Sequence, residues 1–226
     1  MKRVIADFES TYDKLLLTVA EGQQPTPADL YKLDKYWAMQ AQLRKEATKL
    51  GNYMAALYSK MFEINYWAVY NSINIKGLEA FNTIDKAAAR QMINTIWVAD
   101  GQSYSSRIWN NTAQLIETLN EELINCVVSG KKTSDLKKLL QQRFNVSYHR
   151  ADALATTELA HVQTIAAQQR YKDYGIKEYE FYADPDERTC EVCGKLHKQR
   201  FPITSTPKVP QHVRCRCVIL PVIDVE

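Results

Sequence analysis

The stretch that decides the fold of the C-terminal region is DPDERTCEVCGKLHKQRFP at residues 184–202, followed by VPQHVRCRC at residues 209–217. Cys190 and Cys193 have the C-x-x-C spacing that lets two sulfurs on one tight turn reach a single ion. The pattern predicts a structural zinc site. A tetrahedral Zn²⁺ takes four ligands, and the sequence offers five candidate ligand residues. The five candidate ligands are Cys190, Cys193, His212, Cys215 and Cys217.

Two other interpretations of these cysteines stay open. They could be reduced buried thiols, or a redox pair of the thioredoxin type, although such a pair belongs in a βαβ unit that nothing in the sequence supports. For the metal site, Cys190, Cys193 and His212 rank first, and Cys215 and Cys217 compete for or share the remaining place. His197 is more typical of a surface histidine, and Cys126 of a small core residue.

No catalytic or cofactor-binding residue is predicted. A catalytic zinc keeps an open coordination position beside a carboxylate base, whereas this cluster has enough sulfur and nitrogen to close its shell. The nearby acids Asp184, Asp186 and Glu187 are typical of turns and solvated charges. Phosphate-binding loops, nucleophile elbows and paired carboxylates are absent from the sequence.

Around the cysteines the hydrophobic pattern has a period of two. Residues Tyr179–Ala183 alternate as a half-exposed strand does, and Asp184–Asp186 then forms a turn. Val218–Leu220 is a second candidate strand. We therefore expect a small α+β module with short antiparallel strands at residues 176–226.

Upstream of Gly175 the apolar residues recur at intervals of three and four, which predicts helices. Capping residues and glycines set the expected boundaries. The expected helices are Val4–Ala20, Pro27–Leu50 with Gly51 as a stop, 52–75 ending near Gly77, Thr83–Val98, Ser105–Ser129 with Gly130 as a stop, a short one capped by Ser134, and one opened by Ser147 that spans His149–Tyr174.

The composition fits a mainly α fold with a multi-helix body. Hydrophobic residues make up 46% of the 226 residues, while Gly and Pro number only 7 each. We find neither a secretory signal nor an apolar run of the roughly 20 residues that a membrane span needs. We expect synthesis in a reducing cytosol, where cysteines bind metals more readily than they form disulfides.

The net charge of +3 says little about nucleic acid, but its distribution says more. Residues 187–217 carry seven Lys or Arg against two acids, a formal +5. Such a basic surface could neutralise phosphates without reading sequence, or it could be an ordinary solvated face. The seven are Arg188, Lys195, Lys198, Arg200, Lys208, Arg214 and Arg216.

From Asp100 to Glu226 the chain resembles the head-morphogenesis family of phage minor head proteins, typified by the Mu F-like and SPP1-type proteins. The segments that carry the resemblance, in matching order and spacing, are DGQSYSSRIWNNTAQL at 100–115, QQRFNVSYHRADALATTE at 141–158, KEYEFYADPDERTCEVCGKLHKQRF at 177–201 and HVRCRC at 212–217. The chain departs from the family at Thr156, where members commonly have Arg, and at His197-Lys198, where they have Asp-Gly.

The resemblance implies a minor head protein present in a few copies that associates with the portal during procapsid assembly. It would then either stay inside the head, near the DNA, or leave with the DNA. Expected partners are the portal, the scaffolding or major capsid protein, and double-stranded DNA without sequence preference, with the protein in the head interior or portal region of the virion. Residues 1–100 would contact the portal or capsid, 101–175 would form the helical part of the family domain, and 176–226 the metal module. Two alternatives remain: a zinc-knuckle nucleic-acid-binding protein and, ranked last, a zinc hydrolase or nuclease.

Overall fold

The computed structural model describes residues 10, 12–13, 26–30, 34–80, 82–205 and 209–223. Within these ranges the chain is mainly helical and ends in a small antiparallel sheet, which confirms the expected fold class. The expected helix over Val4–Ala20 lies almost entirely outside the described residues. The elements are α1 Pro27–Leu30, α2 Asp34–Ser72, α3 Lys86–Ile93, α4 Tyr104–Val128, α5 Thr133–Asp173, β1 Glu178–Tyr182, α6 Glu191–Leu196, β2 Arg200–Pro202 and β3 Val218–Pro221.

The expected helix end at Gly51 is wrong, because α2 runs through this residue as far as Ser72. A β-carbon on Gly51 would lie 2.8 Å from the Trp109 ring and 3.2 Å from the Thr112 hydroxyl. Both distances are shorter than ordinary contacts between side chains. Gly51 therefore serves close helix packing against α4, and it does not end the helix.

The expected break before Ser147 is also wrong, since α5 is one helix from Thr133 to Asp173. Neither Gly nor Pro occurs within it, so nothing forces the ladder of hydrogen bonds to stop. The stops at Gly130 and Gly175 are confirmed. Both residues have positive φ, +60° and +74°, a conformation that glycine adopts without a steric penalty.

Helix α3 begins at Lys86, three residues after the expected Thr83, and it ends early. The Asp85 carboxylate accepts a hydrogen bond of 2.7 Å from the Ala88 backbone N–H, which caps the first turn. The expected end at Val98 is wrong, because the Asn94 side chain and backbone both donate to the Arg90 carbonyl and close the helix there. Trp97 is consequently outside the helix.

Strands β1 and β3 confirm the two sequence-predicted strands, and β2 was missed. The sheet order is β2-β1-β3, with both pairs antiparallel and with Phe181 opposite Ile219. Tyr179 and Phe181 are fully buried on the core face. Strand β2 has only three residues, Arg200–Pro202, which is too short to show a period of two.

The chain divides into two compact units. The first unit comprises Met1–Ala55 and Ser105–Ala151, and the second comprises Ala56–Tyr104 and Asp152–Glu226. The core of the first unit includes Tyr36, Met39, Leu43, Leu115, Leu119, Leu123, Cys126, Val127, Leu136 and Leu140. The core of the second includes Tyr171, Tyr174, Ile176, Tyr179, Phe181, Cys193, Ile203, Val209, Cys215, Cys217 and Ile219.

Residues on both sides of Gly175 thus share the core of the second unit. The assignment of separate roles to 1–100, 101–175 and 176–226 stays a prediction, because compactness does not test a role. In the described ranges, none of the helices combines the length and apolar character that crossing a membrane requires.

Candidate metal centre

The first half of the centre is the start of α6. Cys190 is the N-cap residue, and its Sγ accepts a hydrogen bond from the Cys193 backbone N–H at 3.4 Å. The Gly194 N–H donates to the Cys190 carbonyl at 2.9 Å and closes the first turn. The C-x-x-C spacing therefore becomes a turn that holds both sulfurs on one side.

The second half is the loop from His212 to Cys217, which leads directly into β3. The Cys215 N–H donates to the His212 carbonyl at 3.1 Å, so these four residues form a tight turn. Arg214 has φ of +58° within that turn. Its backbone N–H donates to the Thr157 hydroxyl at 3.0 Å, and its guanidinium pairs with Asp152 at 2.6 Å, so α5 holds the loop in place.

The structure brings all five predicted ligands together around Cys193. The ligand atoms of Cys190, Cys193 and His212 lie within 4.8 Å of one another, as do those of Cys193, Cys215 and Cys217. The arrangement forms two groups that share one sulfur. This cluster could hold a metal ion, and the following distances test which ion fits.

Cys193 Sγ lies 3.4 Å from His212 Nε2 and 3.9 Å from Cys215 Sγ. With Zn–S of about 2.3 Å and Zn–N of about 2.0 Å, tetrahedral angles require separations of about 3.8 Å for two sulfurs and about 3.5 Å for sulfur and nitrogen. Both observed separations agree to within the tolerance expected of a zinc site. The donor set of thiolates and one imidazole also suits zinc.

His212 is oriented for ligation through Nε2. Its Nδ1 lies 2.9 Å from the Val213 carbonyl oxygen, which can only accept, so Nδ1 carries the proton and donates it. The lone pair is then on Nε2, the nitrogen that faces Cys193. Metal-binding histidines commonly have their second nitrogen fixed in this way.

His197 and Cys126, the other His and Cys considered in the sequence analysis, make contacts away from this cluster. His197 Nδ1 accepts a hydrogen bond from the Ala183 backbone N–H at 3.2 Å, and its ring lies against Tyr182. Cys126 is buried in the core of the first unit, where burial raises the pKa of its thiol. Cys126 thus has the core position that the sequence favoured, whereas His197, expected at the surface, is half-buried.

The thiols differ in how readily they ionise. Burial raises the pKa of Cys193, and burial also raises that of Cys217 to about 11. The hydrogen bond from the Cys193 backbone N–H lowers the pKa of Cys190. A bound dication would favour the thiolate at each ligand, so a metal would compensate the cost of burying these sulfurs.

Much of the predicted basic surface is paired with acids. Arg216 contacts Asp184 at 3.3 Å and Asp186 at 2.6 Å, and the hydrogen bond from Arg216 lowers the pKa of Asp186 to about 2. Arg214 pairs with Asp152, as stated above. The remaining pairs are Arg188–Asp186 and Lys195–Glu191. The count over 187–217 missed Asp152, Asp184 and Asp186 because they lie outside that window.

Sequence reasoning also missed a buried polar cluster beside the metal loop. The Trp97 indole N–H donates to the Glu158 carboxylate at 2.9 Å, and its ring stacks on His161 with centroids 4.4 Å apart. Both α5 residues are buried, and burial lowers the pKa of His161 to about 4. Glu158 is next to Thr157, which accepts the hydrogen bond from Arg214 in the loop that carries His212 and Cys215. One turn of α5 therefore holds both this loop and the segment around Trp97.

The fold and the site define a mainly helical protein with a Cys/His metal-binding region packed on the last half of its longest described helix. Residues 117–220 match the family described as Phage Mu protein F like protein. The match contains every candidate ligand, and it confirms the predicted family resemblance over that range.

A protein of Haemophilus influenzae (strain ATCC 51907 / DSM 11121 / KW20 / Rd) is 26% identical over 116 residues, and it is described only as an uncharacterized protein. The aligned part is 50% of this chain and 26% of the relative. The chain therefore spans about a quarter of the length of the curated relative that it matches. No solved structure matches the chain.

Proposed function

We propose that this chain is a minor head protein that acts structurally in the morphogenesis of a tailed-phage head and associates with the portal. The observation that carries the proposal is the family match over residues 117–220, which includes the whole ligand cluster. The structural role, the portal and the location in the virion follow from the family resemblance.

The metal in this proposal is a structural zinc ion. Cys193 and Cys215 are buried members of the core of the second unit, so the ion would cross-link that core from within. A hydrolytic site would need a carboxylate free to act as a base. Three acids near Cys190 are instead in ion pairs, Asp184 and Asp186 with Arg216 and Glu191 with Lys195, which favours a closed structural site.

A partner surface is proposed within residues 1–100. Helix α2 exposes apolar side chains in the first unit, among them Tyr53 with 65% of its surface accessible. Exposed aromatic residues of this kind are enriched in protein–protein interfaces. A portal or capsid subunit would cover them during assembly.

DNA contact ranks second. Of the six basic residues that the structure describes in 187–217, four are in ion pairs with acids, which leaves less charge to neutralise phosphates. We expect any binding to be independent of sequence and to weaken steeply as salt rises. A strong preference for one duplex at high salt would favour the nucleic-acid-binding alternative.

The deciding experiment is co-expression with the portal, scaffolding and major capsid proteins of one phage, followed by procapsid purification. We expect the chain in procapsids that contain the portal and its loss when the portal is omitted. Tyr53→Ala should reduce incorporation, whereas Tyr148→Ala should not, since Tyr148 is 68% exposed but lies outside residues 1–100. Absence of the wild-type chain from portal-containing procapsids would contradict the proposal.

A further inference from the structure

We propose that the zinc ligands are Cys190, Cys193, His212 and Cys215, and that Cys217 is a core thiol outside the coordination shell. The inference rests on the proposed zinc centre and assigns the place that the sequence left open between Cys215 and Cys217. Four observations support it: the spacing of the ligands, the local turns, the backbone at Arg214 and the strand that follows.

The ligands occur as two pairs with the same spacing. Cys190 and Cys193 are three residues apart, and so are His212 and Cys215. In each pair a hydrogen bond joins the two ligand residues: Cys193 N–H to Cys190 Sγ, and Cys215 N–H to the His212 carbonyl. Two such turns supply the four donors that tetrahedral zinc requires.

The backbone at Arg214 specifies the second turn. A non-glycine residue with φ of +58° is strained, and such strain persists only where the surroundings enforce it. Thr157 and Asp152 of α5 hold Arg214 by its N–H and by its guanidinium. The strained residue, Arg214, lies inside the turn that joins His212 to Cys215. Cys217 comes after this turn.

Cys217 follows the geometry of the strand. It immediately precedes β3, and side chains two residues apart on extended chain face the same side. Ile219 is on the core face and buried, and Cys217 is likewise a buried core member. Its sulfur lies within 4.8 Å of those of Cys193 and Cys215, so its exclusion rests on the turn that pairs His212 with Cys215 and not on distance. Outside the coordination shell, Cys217 would pack as a small buried thiol.

The test compares Cys217→Ala with Cys215→Ala in the full chain, using zinc content and competition with a chelator. Cys217→Ala should keep one zinc per chain with an affinity within about threefold of wild type. Cys215→Ala should weaken binding at least about 100-fold, since even partners of metal ligands cost 10- to 100-fold when changed. Cys126→Ala, in the core of the first unit, is the control for removing any buried thiol.

A second pair of variants covers the case in which Cys215→Ala does not fold. Histidine can replace a cysteine ligand, so Cys215→His should bind one Co²⁺ with a weaker thiolate-to-cobalt absorption band than wild type. Cys217→His should leave the band of any cobalt-bound protein unchanged. The assignment is overturned if the roles of 215 and 217 are reversed, or if both substitutions affect the metal equally. A wild-type chain without zinc would instead refute the proposed zinc centre.

Discussion

The Arg216 guanidinium donates to the Asp186 carboxylate at 2.6 Å and thereby joins the two halves of the candidate metal centre. Arg216 lies between Cys215 and Cys217, whereas Asp186 lies four residues before Cys190. A second contact of Arg216, to Asp184, has the same effect. The two segments that carry the candidate ligands are therefore held near each other by side chains that are not themselves candidate ligands.

Asp186→Asn should weaken zinc binding by about tenfold, because the segments would have to be brought together by the metal alone. Glu191→Gln is the matched control. It removes a carboxylate whose ion pair, with Lys195, lies within α6 and joins nothing across the centre. Chelator competition measures both. Equal affinities for the two variants would show that the Arg216 contacts do not position the ligands.

Metal removal should loosen the second unit and leave the first unchanged. Cys193, Cys215 and Cys217 are members of the core of the second unit, so loss of the ion leaves buried sulfurs without their cross-link. Hydrogen exchange after chelation should show lost protection over 176–205 and 209–223. Protection over 34–55 and 105–128 should stay the same. Uniform loss in all four ranges would contradict this expectation.

His161 should make the protein less stable at acidic pH. Its folded-state pKa of about 4 lies below the ordinary 6.5, so the unfolded chain binds a proton more readily. The stabilisation is full above pH 6.5 and declines towards pH 4, by about 3 kcal/mol over that window. Urea unfolding between pH 7 and 4.5 measures the decline.

His161→Gln separates the pH dependence caused by His161 from that caused by the candidate metal ligands, because the variant and the wild type have the same candidate ligands. The variant should be less stable at pH 7, because its side chain no longer stacks on Trp97, but its stability should fall less steeply with acid. Parallel pH profiles for variant and wild type would show that His161 is not responsible.

Gly51→Ala should destabilise the protein by about 1 kcal/mol or more, despite the better helix propensity of alanine. The added carbon would lie 2.8 Å from the Trp109 ring, so ring or helix must shift. In a Trp109→Leu background the same change should instead stabilise by a few tenths to about 1 kcal/mol. Thermal or urea unfolding of the wild type, the two single variants and the double variant completes this double-mutant cycle. A stabilising Gly51→Ala in the wild-type background would refute the packing argument.

The residue type alone could not distinguish Gly51 from Gly130. Both follow an apolar helical pattern, and the sequence predicts a stop at each. Only Gly130 has positive φ, whereas Gly51 lies against Trp109, a partner 58 positions further along the chain. Local pattern thus predicts the existence of helices well, and tertiary contacts decide which glycines end them.

The candidate metal centre shows the same division. The clustering of its candidate ligands was predictable because their spacing is a local property, and the first pair needs only one turn of chain. The partners that hold it were not, because Asp152 and Thr157 contact Arg214 from α5 at large sequence separations. The Trp97–Glu158 hydrogen bond also joins distant residues. No periodicity in the sequence encodes such pairs.

The order β2-β1-β3 leaves one side of β3 without a strand partner in the described sheet. The Val222 N–H bonds to the Glu178 carbonyl, so by alternation the backbone groups of Ile219 and Pro221 point to the open side. Pro221 has no N–H to offer there, and the Tyr171 hydroxyl donates to the Ile219 carbonyl at 3.2 Å. The exposed edge is thus a poor template for a strand from another molecule, which protects the protein against edge-to-edge aggregation.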